Sequence, residues 1–339
     1  MSDLDEARLD AWLRANVASL SICASPMTKF PGGQSNPTYL LDNGGKPLVL
    51  RRKPFGPLLS SAHAVEREYR LIAALHPTGF PVPAPYALCE DAEVIGAPFY
   101  LMEMVAGRTF WDGALPGLAP AERTGIYHAI VDTLAALHAV DPGAVGLGDY
   151  GKPGNYFARQ VERWTRQYQA SRTDDLPEVE RLIDWLPRTV PAQTRTSIVH
   201  GDFRIDNLIF AENRPEIRAV LDWELSTLGD PLADFSYFLM SWVTEPEGRS
   251  GVKGLTGPET GIPAMEAVVE RYCAATGRDG VPDLDWYFAY NLFRLTGIVQ
   301  GIKKRMLDGN ASSAQAAATV ERLPGLAKAA WAFAERAGA

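Results

Sequence analysis

The sequence predicts an α+β chain in two parts: a small β-rich N-terminal lobe with one main helix, then a larger, mostly helical lobe. Three observations carry this. Short strand-like apolar runs, punctuated by Gly, Pro and Asn-Gly signals, concentrate in the first 105 residues. Beyond residue 118 apolar residues recur at helical spacing, as in Ile126, Ile130, Val131, Leu134 and Leu137. And 339 residues suffice for two domains or lobes, with 1–105 and 106–339 as the expected division.

The elements follow in order. Residues 4–20 pattern as an amphipathic helix through Leu4, Ala7, Leu9, Trp12, Leu13, Val17 and Leu20. "KFPGGQSNPTYLLDNGGKPLVLRRKP" reads as strand, Gly-rich turn, strand, a hairpin turn at Asn43-Gly44, and a strand over Leu48–Arg51. A helix is expected over about 62–75, then two strands, the second ending at Met104-Val105. Ala106-Gly107 reads as a hinge. Helices are expected over 119–138, 155–170, 176–186, 232–242, 262–276, 284–307 and 312–336, interrupted by short strands around 198–210 and 217–222. The Gly-rich stretch 248–262 reads as a long mobile loop.

Composition narrows the function. A net charge of −8 argues against nucleic acid or an acidic membrane surface as partner. Cys23, Cys89 and Cys273 are odd in number and far apart, so no disulfide framework or metal pattern follows and a reducing cytoplasm fits. The acidic N-terminus shows no basic n-region followed by an apolar run, so a signal peptide is not expected, and no run approaches the roughly 18 apolar residues of a membrane span. No segment identifies a dimer surface.

The chemistry concentrates in "IVHGDFRIDNLIF", residues 198–210, a polar loop between two apolar runs. Asp202 is followed by Asn207 five residues on, and by Asp222 twenty residues on at the end of a strand. That order is the phosphoryl-transfer template: a loop Asp that accepts the acceptor's proton, then an Asn and an Asp whose oxygens hold Mg²⁺. Asp and Asn also fill ordinary turns; the ordered set, bracketed by strands, favours the site. His200 reads as a structural anchor hydrogen-bonding in the loop, with a role as base the alternative. Arg204 lies where protein kinases carry a Lys and could reach transferring phosphate, or be a solvated turn residue. Gly146-x4-Gly151-Lys152 imitates a P-loop, but Pro153 replaces the Mg²⁺-binding hydroxyl and no strand precedes it.

"VHGDFRIDNLIF" with "VLDWELSTLGDPLADFSY" resembles the aminoglycoside phosphotransferase (APH) family, and within it the kinase domains related to those fused to acyl-CoA dehydrogenases. "LVLRRKP", "AHAVEREYRLIAAL" and "RQVERWTRQY" fit the same group, so the resemblance runs from about residue 25 to 335. It implies a protein-kinase-like bilobal fold, with ATP between the lobes and Mg²⁺ as cofactors. Asp202 matches the base, and Asn207 and Asp222 the metal ligands. Arg51 stands where many kinases have a phosphate-binding Lys, with Glu68 as its ion-pair partner. Lys53, on the same face, is a rival. Gly33, Gln34, Ser35 and Asn36 match the turn that covers the phosphates, although an empty hairpin turn would look the same. Glu103 and Val105 match the linker that binds adenine. Asp222-Trp223-Glu224 replaces the kinase Asp-Phe-Gly, so an assembled metal site is expected rather than a swinging segment. Asp230 and Asp234 are expected to cap and anchor the next helix.

The acceptor is expected to be a small molecule with a hydroxyl. Arg159, Arg163 and Arg166 share one helical face beside Trp164 and Tyr168, and Arg294, Lys303, Lys304 and Arg305 follow. Such groups suit an anionic or acyl-bearing acceptor, unless they are solvated charges of amphipathic helices. The resemblance implies hydroxyacyl-CoA or hydroxy-acid substrates. An aminoglycoside-type antibiotic phosphotransferase, a silent nucleotide-binding module, and a hydrolase with Asp202 as nucleophile are the alternatives.

Overall fold

Antiparallel pairing of five short strands organises the N-terminal residues in the computed structural model, which describes residues 4–17, 23–24, 26–30, 36–42, 46–56, 63–246, 250–309 and 314–339. Packing divides the chain into two compact units. The first gathers Met1–Trp111, Asp141–Gly148 and Arg204–Ser226; the second gathers Asp112–Val140, Asp149–Phe203 and Thr227–Ala339. This grouping follows contacts rather than chain order. The segment bearing Asn207 and Asp222, counted with the helical lobe from sequence, therefore clusters with the N-terminal sheet.

In the first unit, with elements numbered along the chain, α1 (Glu6–Asn16) begins at Asp5, whose carboxylate accepts the Arg8 N–H at 3.0 Å. Its Leu9 and Leu13 enter a core with Leu41, Leu48, Leu50, Phe99 and Leu101. Trp12 meets Phe99 edge-on, ring centroids 5.0 Å apart. The sheet comprises β1 (Met27–Lys29), β2 (Thr38–Leu41), β3 (Leu48–Arg52), β4 (Pro85–Cys89) and β5 (Phe99–Glu103), in the order β1-β2-β3-β5-β4. In the β3–β5 register Arg51 lies opposite Tyr100. Helix α2 (Val65–Leu75) buries Val65, Glu68, Leu71, Ile72 and Leu75. A carboxylate in that stripe demands partners.

After β5 the chain runs against β7 (Leu208–Phe210), itself paired with β8 (Ile217–Val220). Arg108 and Phe210 exchange reciprocal backbone hydrogen bonds of 2.8 Å. The expected hinge at Ala106-Gly107 is therefore pinned, and a Cβ on Gly107 would lie 2.2 Å from the Phe210 carbonyl oxygen.

The second unit holds α3 (Pro120–Ala139), α4 (Tyr156–Ser171), α5 (Pro177–Trp185), α6 (Leu232–Val243), α7 (Met265–Thr276), α8 (Leu284–Leu307), α9 (Ala314–Glu321) and α10 (Leu323–Arg336). Helix α8 packs against α10, α4 and α6. Three departures from expectation have plain causes. The helix expected over 312–336 is two, because Pro324 lacks an N–H and fits only a helix's first turn. Strand β6 (Ser197–Val199) pairs with an unanticipated β9 (Thr227–Gly229), too short to show alternation. The 248–262 loop is fastened where it is described: Val252 N–H donates to Ser241 O at 2.7 Å and Thr124 Oγ1 to Gly261 O at 2.7 Å. Asn43-Gly44 lies outside the described residues. The P-loop imitation forms turns and bends with no strand leading in. Among the described residues no helix is long and apolar enough to cross a membrane.

Candidate nucleotide and catalytic site

The first unit encloses a cavity of about 360 Å³. Val49, Ile72, Met102, Val105, Ile209 and Val220 give it apolar walls, and Arg51, Glu103, Asn207 and Asp222 supply its polar groups. Arg51, 12% exposed, places Nε 2.8 Å from Glu68 Oε2 and Nη2 2.8 Å from Asp222 Oδ1. One planar guanidinium thus spans two carboxylates, a geometry an ammonium would not copy. Lys53 is spent on Glu66 at 2.7 Å and does not line the cavity.

Glu68 is saturated with donors. Asn36 Nδ2 donates to Oε1 at 2.8 Å and the Tyr100 hydroxyl to Oε2 at 3.1 Å. Burial lifts the Glu68 carboxyl while Arg51 draws it down, helped by Tyr100. Burial also works against the Arg51 charge, but Glu68, Tyr100, Asp222 and Glu224 outweigh it and raise its pKa. Asn36, expected in the phosphate-covering turn, is instead buried with its amide nitrogen committed to Glu68. Gly33, Gln34 and Ser35 lie outside the described residues.

Asp222 has a left-handed backbone, φ +67° and ψ +62°. Such a conformation costs about 1–3 kcal/mol and persists only where neighbours over-determine it. They do so here. Trp223 is buried, its Nε1–H donates to Val220 O at 3.0 Å, and its ring meets Phe80 at 6.1 Å. Ser226 N–H closes the 3-10 turn Trp223–Leu225 onto Trp223 O at 3.0 Å. The Leu221 N–H donates to Asn207 O at 2.8 Å, tying together the backbones that carry the two oxygen donors. Those donors, a carboxamide and a carboxylate, suit Mg²⁺, which keeps several waters and takes phosphate oxygens. Among the described residues no group of three His, Cys, Asp or Glu forms a self-sufficient metal cluster.

The second unit carries the start of the loop that bears Asp202, the candidate base. Asp234 on α6 accepts the backbone N–H of His200 at 2.6 Å and of Gly201 at 2.8 Å. His138 Nε2 lies 3.5 Å from the same carboxylate, and His138 Nδ1 meets the Tyr272 hydroxyl at 2.7 Å. Burial is the largest influence on Asp234 and pushes its pKa up, yet His138, His200 and the Gly201 N–H together hold it below the usual range. His200 is fully buried, and its Nδ1 accepts the Asp202 N–H at 3.2 Å, so it is the anchor the sequence suggests. Asp230 caps α6 by accepting the Leu232 N–H at 2.9 Å; Asp234, expected to do likewise, ties down the loop before Asp202. Past the unit boundary Arg204 is turned onto Asp206, 3.1 Å away, and does not line the cavity. Sequence reasoning missed Tyr100 and His138. Each is one polar residue in an apolar stripe, and that was their only signal.

The sequence pattern of the phosphotransferase enzyme family, APH, matches residues 26–286. The chain belongs to that family. This phosphotransferase is 44% identical over 333 residues to acyl-CoA dehydrogenase family member 10 of Mus musculus, covering 97% of its own length and 31% of that protein. It is 40% identical over 314 residues to acyl-CoA dehydrogenase family member 11 of Homo sapiens, covering 91% and 40% respectively. The chain thus spans about a third to two fifths of these curated relatives. Among solved structures it resembles a candidate aminoglycoside phosphotransferase from Ralstonia eutropha JMP134, with TM-score 0.89, 47% identity, and 98% and 99% of the two chains covered. A variant of aminoglycoside phosphotransferase APH(4)-Ia, solved with AMP-PNP and hygromycin B, shares the fold at TM-score 0.60 and 18% identity, each chain covered to 98%. The chain therefore has the α+β, protein-kinase-like fold of its family, a family of phosphotransferases that act on hydroxyl groups of small molecules.

Proposed function

We propose that the chain is an ATP- and Mg²⁺-dependent kinase that phosphorylates the hydroxyl of a small molecule, with a hydroxy acid or hydroxyacyl-CoA as acceptor. The observation that carries this is the cavity of the first unit, where a guanidinium, a carboxamide and a carboxylate converge beside apolar walls. Bound Mg·ATP would supply the phosphoryl group and neutralise its developing charge. Asn207 and Asp222 would hold the metal, Arg51 the phosphates, and the Glu103–Val105 edge with Val49 and Met102 the base. Gly33, Gln34 and Ser35 would cover the phosphates. Asp202 would orient the acceptor hydroxyl and take its proton. Arg204 would reach the transferred group by exchanging Asp206 for it.

The acyl-CoA dehydrogenase names of relatives at 40–44% identity support the acyl-type acceptor. The candidate aminoglycoside phosphotransferase at 47% identity favours the second reading, an antibiotic acceptor. A cytoplasmic setting suits the free cysteines Cys23, Cys89 and Cys273. The test is a mass-spectrometric screen of hydroxy acids, hydroxyacyl-CoAs, sugars, amino alcohols and aminoglycosides for an added phosphate in the presence of Mg·ATP. An aminoglycoside product with no acyl product would reverse the acceptor assignment. Nucleotide binding without turnover on any acceptor would point to a silent module.

A further inference from the structure

Helix α8 brings Arg294 beside the catalytic loop of the second unit. An Nη2–H of Arg294 donates to the Gly201 carbonyl at 2.8 Å, one residue before Asp202. The half-buried guanidinium lies over two rings, 5.0 Å from the Tyr237 centroid and 5.7 Å from that of Trp164. Trp164 also receives the guanidinium of Arg163, at 5.5 Å. Arg305 is exposed, and four other cations of this basic stretch are neutralised or spent: Arg166 on Glu162 at 3.4 Å, Lys304 on Asp308 at 2.6 Å, Lys303 on Asp174, and Arg159 on the carbonyls of Lys152 and Gly154. Among the described residues no carboxylate lies within ion-pair distance of Arg294 or Arg163.

A cation drawn out of water normally acquires an anion. Burial works against the Arg294 charge; the Tyr237, Tyr290 and Tyr156 oxygens and the Asp202 carboxylate outweigh it, so the group stays charged. One of its five N–H donors is committed to Gly201, and the fork can still grip a planar oxyanion in two bonds. The two ring faces attract the guanidinium and help to fix its position.

We infer that Arg294, flanked by Tyr237 and Trp164, is the seat for an oxyanion on the acceptor, a carboxylate or phosphate carried a few bonds from the hydroxyl that Asp202 receives. This deepens the kinase reading and rests on it for the reaction. It makes anionic alcohols the preferred substrates and disfavours polycations.

The test is calorimetric titration of the nucleotide-free protein with 3-hydroxybutyrate, glycerol 3-phosphate, neutral 1,3-butanediol and kanamycin, with a parallel Mg·ATP titration. At least one anion should bind roughly tenfold or more tighter than the diol, and which one does so separates carboxylate from phosphate. Arg294→Gln should erase the preference and Arg294→Lys keep part of it, with thermal melts reporting whether each variant folds. Equal binding of anion and diol by the unaltered protein, no binding of either anion, tighter binding of kanamycin, or a preference that survives in folded Arg294→Gln would overturn the seat. Loss of Mg·ATP binding with the anion preference intact would instead overturn the kinase reading.

Discussion

In the first unit Arg51 is gripped by Glu68 and reaches Asp222 on a cavity wall; in the second, Asp234 is faced by His138 and gathers the backbone of His200 and Gly201. Both clusters bury charge, but to different ends. Asp234 and His138 are 1% and 2% exposed, and both Asp234 oxygens are taken up by the protein. Asp222 is 38% exposed, on a strained backbone. A sealed cluster holds a loop in shape, whereas one left open to a cavity keeps polar atoms that the protein itself has not used up. Burial and charge alone do not tell them apart; what decides is whether the protein saturates the last polar atom.

Substitutions can break this contrast. Asp234→Ala should have the largest effect, about 3–5 kcal/mol of lost stability in urea unfolding, because it strands His138 and two backbone N–H groups. A loss near zero would mean that the second cluster is not structural. Asp202→Ala should lower turnover by at least ~100-fold while nucleotide affinity, measured by calorimetry, stays nearly intact. Asp222→Ala should reverse that pattern, weakening Mg·ATP binding with little change in the urea midpoint. If Asp202→Ala and Asp222→Ala lose nucleotide equally, the division of roles between the loops is wrong.

Acid sharpens the contrast further. The Asp234 carboxyl is held below its unfolded value, so the folded protein binds fewer protons there. Its stabilisation is complete above about pH 4 and fades as pH falls through the depressed value. The urea midpoint should therefore fall less steeply from pH 5 to pH 3 in Asp234→Asn than in the parent. The smallest expected effect is Tyr100→Phe, about 1 kcal/mol, since it removes one of three donors on Glu68. A larger loss of Mg·ATP affinity than of stability would show that Glu68 acts on the ligand through Arg51.

Much of this was legible in one dimension. Helical spacing placed α3 through α8 within a few residues, and the order Asp202, Asn207, Asp222 singled out the candidate site. β9 was invisible because three residues carry no period, and the break before α10 depended on Pro324 being weighed against an otherwise continuous apolar pattern. Arg51 and Lys53 were indistinguishable in the sequence because their i, i+2 spacing assigns both to one face of an extended chain. The structure gives each its own carboxylate on α2, Glu68 for Arg51 and Glu66 for Lys53. Asn36 looked like part of a glycine turn until Glu68 was seen to hold its amide.

By itself the sequence determined which residue types recur at which spacing, and hence the elements, the family and the short loops that bear oxygen donors. Only the tertiary structure decided which charges are closed off and which remain open, since that depends on partners far apart in the chain: Arg51 with Asp222, Asp234 with Gly201, Arg294 with the same loop. Local pattern follows from backbone geometry and hydrophobic period, whereas pairing is a property of packing, and packing brings together residues that no spacing rule relates.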